Sequence, residues 1–199
     1  MASEQRRPDV VERRKNFGVA RRFVDLASLV FLDESGVQSN MTRLYGRAPR
    51  GHRCVDHTPQ SHWKTATLIS AIRVEGVVRQ ATAVFDGPMN RPTFEGYAAA
   101  CLAPTLRPGD VVVMDNLSSH KSAAVIDAIE SAGAELWFLP AYSPDLNPIE
   151  KLWSKVKAGM RRLRPRSFLS IADTLADSLR TVTAKECRNY FASCGYGTS

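Results

Sequence analysis

Leu29-Val30-Phe31-Leu32-Asp33 and Val111-Val112-Val113-Met114-Asp115 repeat one pattern, an unbroken apolar run closed by an aspartate. Glu34-Ser35-Gly36 follows the first run and Asn116 the second; a third acid, Glu150, stands in Asn147-Pro148-Ile149-Glu150. Apolar runs of this length without polar alternation read as central strands. A carboxylate cannot stay ionised inside such a strand without compensation. Its natural place is the strand's exit, beside a second carboxylate and a bound cation. Hard oxygen donors of this kind suit magnesium or manganese.

The rest of the chain is organised around these two strands. Residues 1–24 are polar and charged with a weak helical pattern, and read as an N-terminal linker or tail. Strand one covers about 28–33. Residues 36–62 are rich in Gly, Pro, Arg and His and read as an irregular excursion or short hairpin. Thr65–Ile72 and Val77–Phe85, split by Glu75-Gly76, read as a hairpin. A helix is expected over about 92–103, with Phe94, Tyr97, Ala98 and Cys101 on one face. Strand four is 110–114. A helix over 120–132 follows, capped by Ser118 or Ser119 and ended by Gly133. Residues 135–139 form a fifth strand. The next helix, about 148–163, has Asn147 as N-cap, Pro148 at its first position and Glu150 three residues after the cap. Pro165 ends it, and helices over 168–181 and 184–193 close the chain, the last with Thr183 and Glu186 as a capping box. The order implies an α/β fold, a mixed five-stranded sheet with helices on both faces. If strands one and four are parallel neighbours, Asp33 and Asp115 emerge at one carboxyl edge, where open α/β sheets bind ligands.

A chain of 199 residues with 44% hydrophobic content suits one domain with a real core. We expect a division into 1–24 and a catalytic unit over 25–199 that includes the C-terminal helices at 167–195. No apolar run approaches the ~20 residues of a membrane span. The N-terminus lacks an apolar signal core, so a cytoplasmic protein is expected. The four cysteines form no CxxC pair, and Cys54-x-x-His57 has no matching second half, so buried free thiols are expected. The formal net charge of +7 favours a polyanionic partner. Seven basic residues and no acid lie between Lys151 and Arg166, and Arg43, Arg47, Arg50 and Arg53 form a second basic segment with Lys64 beyond it. These clusters near two of the acids point to phosphate contact, with Lys151, Lys155, Lys157, Arg161 and Arg162 as donors on the helix.

Each acid has an ordinary explanation. Asp33 can sit in a turn, Asp115 in an Asx turn, and Glu150 in a capping box. Glu34 rivals Asp33, since side chains alternate along a strand and only one of the two can face the site. Asp145 is a weaker substitute for Glu150. His120, five residues after Asp115, reads as a helix-start histidine or as a metal or phosphate contact; Asn116 reads as a turn residue or as a group that orients a water or bonds a phosphate; and Trp153 fits core packing or stacking on a base. Three acids around two divalent ions can carry out phosphoryl transfer without a histidine base or covalent nucleophile. The chain has no GxxxxGK[ST] loop, so ATP use is not indicated.

Phe31-Leu32-Asp33-Glu34-Ser35-Gly36, Met114-Asp115-Asn116 through His120, and Tyr142-Ser143-Pro144-Asp145-Leu146-Asn147-Pro148-Ile149-Glu150 resemble the catalytic motifs of DDE transposases. The interval of 34 residues between Asp115 and Glu150, positions 116–149, resembles the mariner-related insertion sequence 630 family. The resemblance covers about residues 25–195. It implies a ribonuclease-H-like fold, with Asp33, Asp115 and Glu150 as catalytic and metal-binding triad for two Mg2+ or Mn2+ ions. It implies cleavage at transposon ends and attack of the freed 3′-hydroxyl on target DNA, usually at a TA dinucleotide. Double-stranded DNA is the expected partner, contacted also through Asn116, His120 and Lys121, in a bacterial, nucleoid-associated setting. A homodimer is a further expectation. Similar proteins carry helix-turn-helix domains upstream; here such a part is expected to be separate or upstream, with this chain a catalytic half of a split or truncated element. The competing readings are a ribonuclease-H-like nuclease or resolvase without strand transfer, and a non-catalytic DNA-binding remnant.

Overall fold

A computed structural model describes residues 3–59 and 63–197; positions 60–62 of the expected excursion lie outside the described residues. Five strands form one mixed sheet: β1 Leu29–Gln38, β2 Thr65–Arg73, β3 Gly76–Asp86, β4 Val111–Met114 and β5 Glu135–Phe138. Their order is β3-β2-β1-β4-β5. β1 runs antiparallel to β2 and parallel to β4, and β5 is parallel to β4. The helices are α1 Pro8–Ala20, α2 Arg91–Tyr97, α3 Ala123–Ser131, α4 Ile149–Leu163, α5 Phe168–Arg180 and α6 Ala184–Ser193. This is the expected mixed sheet with helices on both faces.

Strand alternation divides the core in two. Phe31, Val37, Val111 and Val113 face α4, α5 and α6. Val30, Leu32, Val112 and Met114 face α2 and α3. On α4, Ile149, Leu152, Trp153, Val156 and Met160 fall at the spacing of one helical stripe and are all buried. Phe31 lies edge-on to Phe191 and Tyr196, with centroids 5.3 and 5.1 Å away. Trp153 is 1% exposed, so it packs in the core and is closed to a base.

Several expectations need correction. β1 continues five residues past Asp33, because β2 keeps pairing with it up to Gln38↔Thr65. Its pairing with β4 stops at Phe31↔Val113, so Asp33 sits where the parallel neighbour ends, not at the end of its own strand. The cap of α3 is Ser122, whose hydroxyl accepts the Val125 N–H; Ser118–Lys121 form a 3-10 turn ahead of it. Gly133 (φ +78) follows that helix in a Schellman arrangement, with Ala134 N–H on Ile129 O and Gly133 N–H on Glu130 O. Residues 8–20, read as part of a tail, form α1; Val10 and Phe17 are buried, and Phe17 meets Trp137 edge-on at 6.2 Å. The polar composition hid this contact because only one narrow stripe of α1 touches the core. Of the thiols, Cys187 and Cys194 are buried, but Cys54 is exposed on the excursion. The Thr183–Glu186 capping box is formed.

Candidate active site

Asp33 and Asp115 share a strand parity with Phe31 and Val113, so both project toward α4. Glu34 takes the opposite parity and faces α2 and α3. Asp33 is 9% exposed. Its Oδ1 accepts the Glu34 N–H at 2.8 Å and its Oδ2 accepts Asn147 Nδ2 at 3.2 Å. Asp115 follows β4 in an Asx turn, its Oδ1 accepting the Leu117 N–H at 3.1 Å. Glu150 lies exposed in the first turn of α4, and its carboxylate makes no hydrogen bond or ion pair among the described residues.

The expected capping box at α4 is absent. The Asn147 N–H is already taken by Pro144 O at 3.1 Å, leaving nothing for Glu150 to cap. The Asn147 carbonyl accepts the Glu150 N–H at 3.2 Å, but its side chain turns to Asp33 instead of the helix. Structural capping therefore does not account for Glu150. Asp145 is committed elsewhere: Arg14 grips both its oxygens at 3.0 and 2.6 Å and bonds Ser143 Oγ at 2.7 Å.

Asp33, Asp115 and Glu150 line one open cleft of about 480 Å³ together with Asn116, Leu117, Asn147 and the Leu139–Pro144 segment. Burial pushes the Asp33 carboxyl up to about 7, with the negative charges of Glu150 and Asp115 adding to it, against the Glu34 N–H and His120. Among the described residues the acids converge without closing into a three-ligand cage. The buried Asn147 Oδ1 beside Asp33 has no hydrogen-bond donor. An anionic cluster strained by its own charge, next to an unpartnered oxygen acceptor, fits a divalent cation and its bound water.

His120 is misplaced as a DNA contact. It is 1% exposed, stacked on Phe94 with ring centroids 4.3 Å apart. Its Nε2 lies 3.1 Å from Glu34 Oε1, and its Nδ1 lies 2.7 Å from Asp115 Oδ1 though out of line for a hydrogen bond. Burial alone would lower its pKa; pairing with Asp115 and Glu34 outweighs that and raises it to about 9.

The other nominated DNA contacts divide. Arg43, Arg47 and Arg50 stand exposed on the excursion, and Lys64 is exposed at its return. Asn116 lies exposed on the cleft wall. Lys121 is exposed, with its Nζ 5.6 Å from the Phe138 ring centroid. On α4, Lys151 and Arg162 are exposed and Lys157 and Arg161 half-buried. Lys155 is occupied, bonding Glu186 Oε1 at 2.7 Å and Thr181 O at 2.9 Å. Arg164 pairs with Asp56, and Arg166 bonds Ser39 O at 2.6 Å, so the excursion is tethered to the end of α4. The two basic segments, separate in sequence, are thereby brought together. Arg14, the Asn147–Asp33 bond and the Tyr196 hydroxyl on Leu146 O (2.8 Å) escaped sequence reasoning. Each spans 50 or more positions; only the ambiguity of Asn147 as cap or ligand-side amide offered a signal.

A family model described as "DDE superfamily endonuclease" matches residues 28–172. No curated protein matches the chain. Among solved structures, the chain is similar to the Mos1 transposase paired-end complex with left transposon end, at TM-score 0.76 and 19% identity over 98% of this chain and 61% of that one. It is similar also to the Mos1 mariner paired-end complex with Mn, at TM-score 0.70 and 20% identity over 94% and 60% of the two chains. For the catalytic domain of the Mos1 mariner transposase the values are 0.68 and 18%, over 98% and 90%. The fold is thus ribonuclease-H-like, and the chain spans about three fifths of the Mos1 chains in the paired-end complexes. No helix among the described residues is long and apolar enough to cross a membrane.

Proposed function

The chain belongs to the DDE superfamily of endonucleases, and on that premise we propose that it is the catalytic part of a transposase of the mariner-related insertion sequence 630 kind. Its substrate is double-stranded DNA, cut at transposon ends and joined to a target by phosphoryl transfer. Asp33, Asp115 and Glu150 would hold Mg2+ or Mn2+. When bound, such ions lower the pKa of the attacking water or 3′-hydroxyl and stabilise the leaving oxygen. Asn147 orients Asp33 through its Nδ2, and its buried Oδ1 has no donor among the described residues. Lys157 and Arg161, seven and eleven residues beyond Glu150 on the same helical stripe, lead the phosphate backbone away from the site. Arg43, Arg47, Arg50 and Lys64 hold the duplex from the excursion, and Asn116 and Lys121 from the opposite lip. Sequence-specific end recognition falls to a separate or upstream helix-turn-helix part, and pairing of two ends to a second copy. On this reading the protein acts on nucleoid DNA in a bacterial cytoplasm.

The observation that carries the proposal is that three carboxylates line one cleft, one of them pushed up to about 7 by burial and then by the negative charges of the other two. The test is Asp115→Asn with a labelled DNA duplex and manganese. Nicking and strand transfer should vanish while the circular dichroism spectrum and melting temperature persist. Undiminished activity in a folded variant would defeat the assignment. Hydrolysis by the unaltered chain without any joining would favour the resolvase reading. Salt-sensitive binding with no cleavage would favour the DNA-binding remnant.

A further inference from the structure

Glu34 and His120 are not among the residues that line the acid cleft, yet the His120 side chain is 1% exposed and meets Phe94, Glu34 and Asp115. Glu34 projects to the α2–α3 face of β1, opposite to Asp33. His120 fills the space between that face and the end of β4. Its ring is fixed by Phe94, tilted by 31° at 4.3 Å, and both its nitrogens meet carboxylate oxygens, Glu34 Oε1 at 3.1 Å and Asp115 Oδ1 at 2.7 Å.

Such an arrangement is costly for a core. Apolar residues of similar volume would fill the same space without desolvating two charges and an imidazole. What it provides is direction. Asp115 is 38% exposed and sits on a turn, where its side chain would otherwise rotate freely. Oδ1 accepts the Leu117 N–H and lies 2.7 Å from His120 Nδ1, a charge contact rather than an aligned hydrogen bond, so this oxygen is held on the protein side and Oδ2 is the one left for the cleft. Glu34 in turn fixes which way the imidazole points, as carboxylates do for histidines that support a bound metal.

We infer that Glu34 and His120 are positioning residues for Asp115: an acid on the far face of β1 acts through a buried imidazole to aim a carboxylate of the cleft. The inference rests on the metal-binding role proposed above for Asp115. It also explains why consecutive acids, Asp33 and Glu34, can both serve one site from opposite faces of a strand.

The test uses the full chain and four variants: Glu34→Gln, His120→Gln, Asp115→Asn, and Ile129→Ala as a destabilised apolar control on the same core face. Manganese is titrated calorimetrically into metal-free protein, and kcat and KM are measured for nicking of a DNA duplex. Glu34→Gln and His120→Gln should weaken manganese affinity about 10–100-fold and lower kcat, with KM for DNA unchanged. Ile129→Ala should lower the melting temperature and leave manganese affinity alone. If His120→Gln does not fold, Glu34→Gln carries the test. Wild-type manganese affinity and kcat in folded Glu34→Gln, with affinity lost in Asp115→Asn, would overturn the relay and leave the metal site standing. Wild-type affinity in Asp115→Asn would overturn both.

Discussion

Asn147 Nδ2 donates to Asp33 Oδ2 at 3.2 Å, joining the loop ahead of α4 to the middle of β1 across 114 positions of sequence. The bond favours the ionised form of a carboxylate that burial and two neighbouring acids push toward neutrality. Replacing Asn147 by alanine removes it and leaves the triad intact. Hydrogen bonds to charged groups contribute about 1.5–3 kcal/mol, so nicking kcat should fall roughly 10–100-fold in Asn147→Ala. Single-turnover kinetics at saturating manganese would check this; an unchanged rate would show the contact to be incidental.

Asp33 should weaken the metal-free fold. Its folded pKa of about 7 lies above the ordinary aspartate value of 3.8, so between them the folded state binds a proton that the unfolded state has released. Stability therefore falls as pH rises from about 4 and is lowest above 7, by up to ~4 kcal/mol. Asp33→Asn should melt at the same temperature or higher at pH 8 without metal, and its stability should lose that pH dependence. Calorimetric melting at pH 5 and pH 8 measures both, and a fall of several degrees at pH 8 would assign Asp33 a structural role.

Arg73 and Asp110 work in the opposite sense. They are 4% and 3% exposed and joined by two bonds of 2.7 and 2.5 Å, which tie the end of β2 to the approach of β4. Burial would raise the Asp110 carboxyl, but Arg73 and the Arg107 N–H outweigh it and hold it below its ordinary value. The stability it contributes is therefore present above about pH 4 and lost as pH falls through the lowered folded pKa. Asp110→Ala should cost ~3–5 kcal/mol at pH 7, since it leaves a buried guanidinium unpaired. Urea unfolding at pH 7 and pH 3 should show the deficit shrinking in acid.

The N-terminal helix should be required for a firm cleft wall. Arg14 holds Asp145 and Ser143 of the loop that lines the site, and Phe17 packs on Trp137. Arg14 and Asp145 are partly exposed, so Arg14→Ala should cost no more than about 1 kcal/mol of stability. Its larger effect should be faster proteolysis within residues 140–148. A cleavage time course against the unaltered chain checks this, and equal protection in both would show that α1 does not brace the loop.

How legible the protein was can be judged from particular residues. The unbroken apolar runs ending at Asp33 and Asp115, the hairpin at 65–85 and the apolar stripe of α4, with its period of about 3.6 residues, are local patterns, and each produced the expected type of element, although β1 runs on to Gln38. Ser122 and Asn147 show where local reasoning falters. A cap residue has several candidate partners within a few positions, and the choice depended on a 3-10 turn for the first and on Asp33 for the second. Lys155 and His120 looked like free donors in sequence, yet the fold engages both with acids, Glu186 in α6 and Glu34 in β1.

By itself, the sequence determined the two buried strands, the parity that separates Asp33 from Glu34, and the spacing that sets Glu150 in the first turn of a helix. All of these depend on neighbours a few residues apart. Only the tertiary structure decided which parity faces α4, that Asn147 and not a cap partner meets Asp33, and that His120 is buried between two acids. Those outcomes depend on which strands pair and which helix covers them. The Glu34–His120 and Asp33–Asn147 contacts join residues 86 and 114 positions apart, and their free energy is absent from any local pattern.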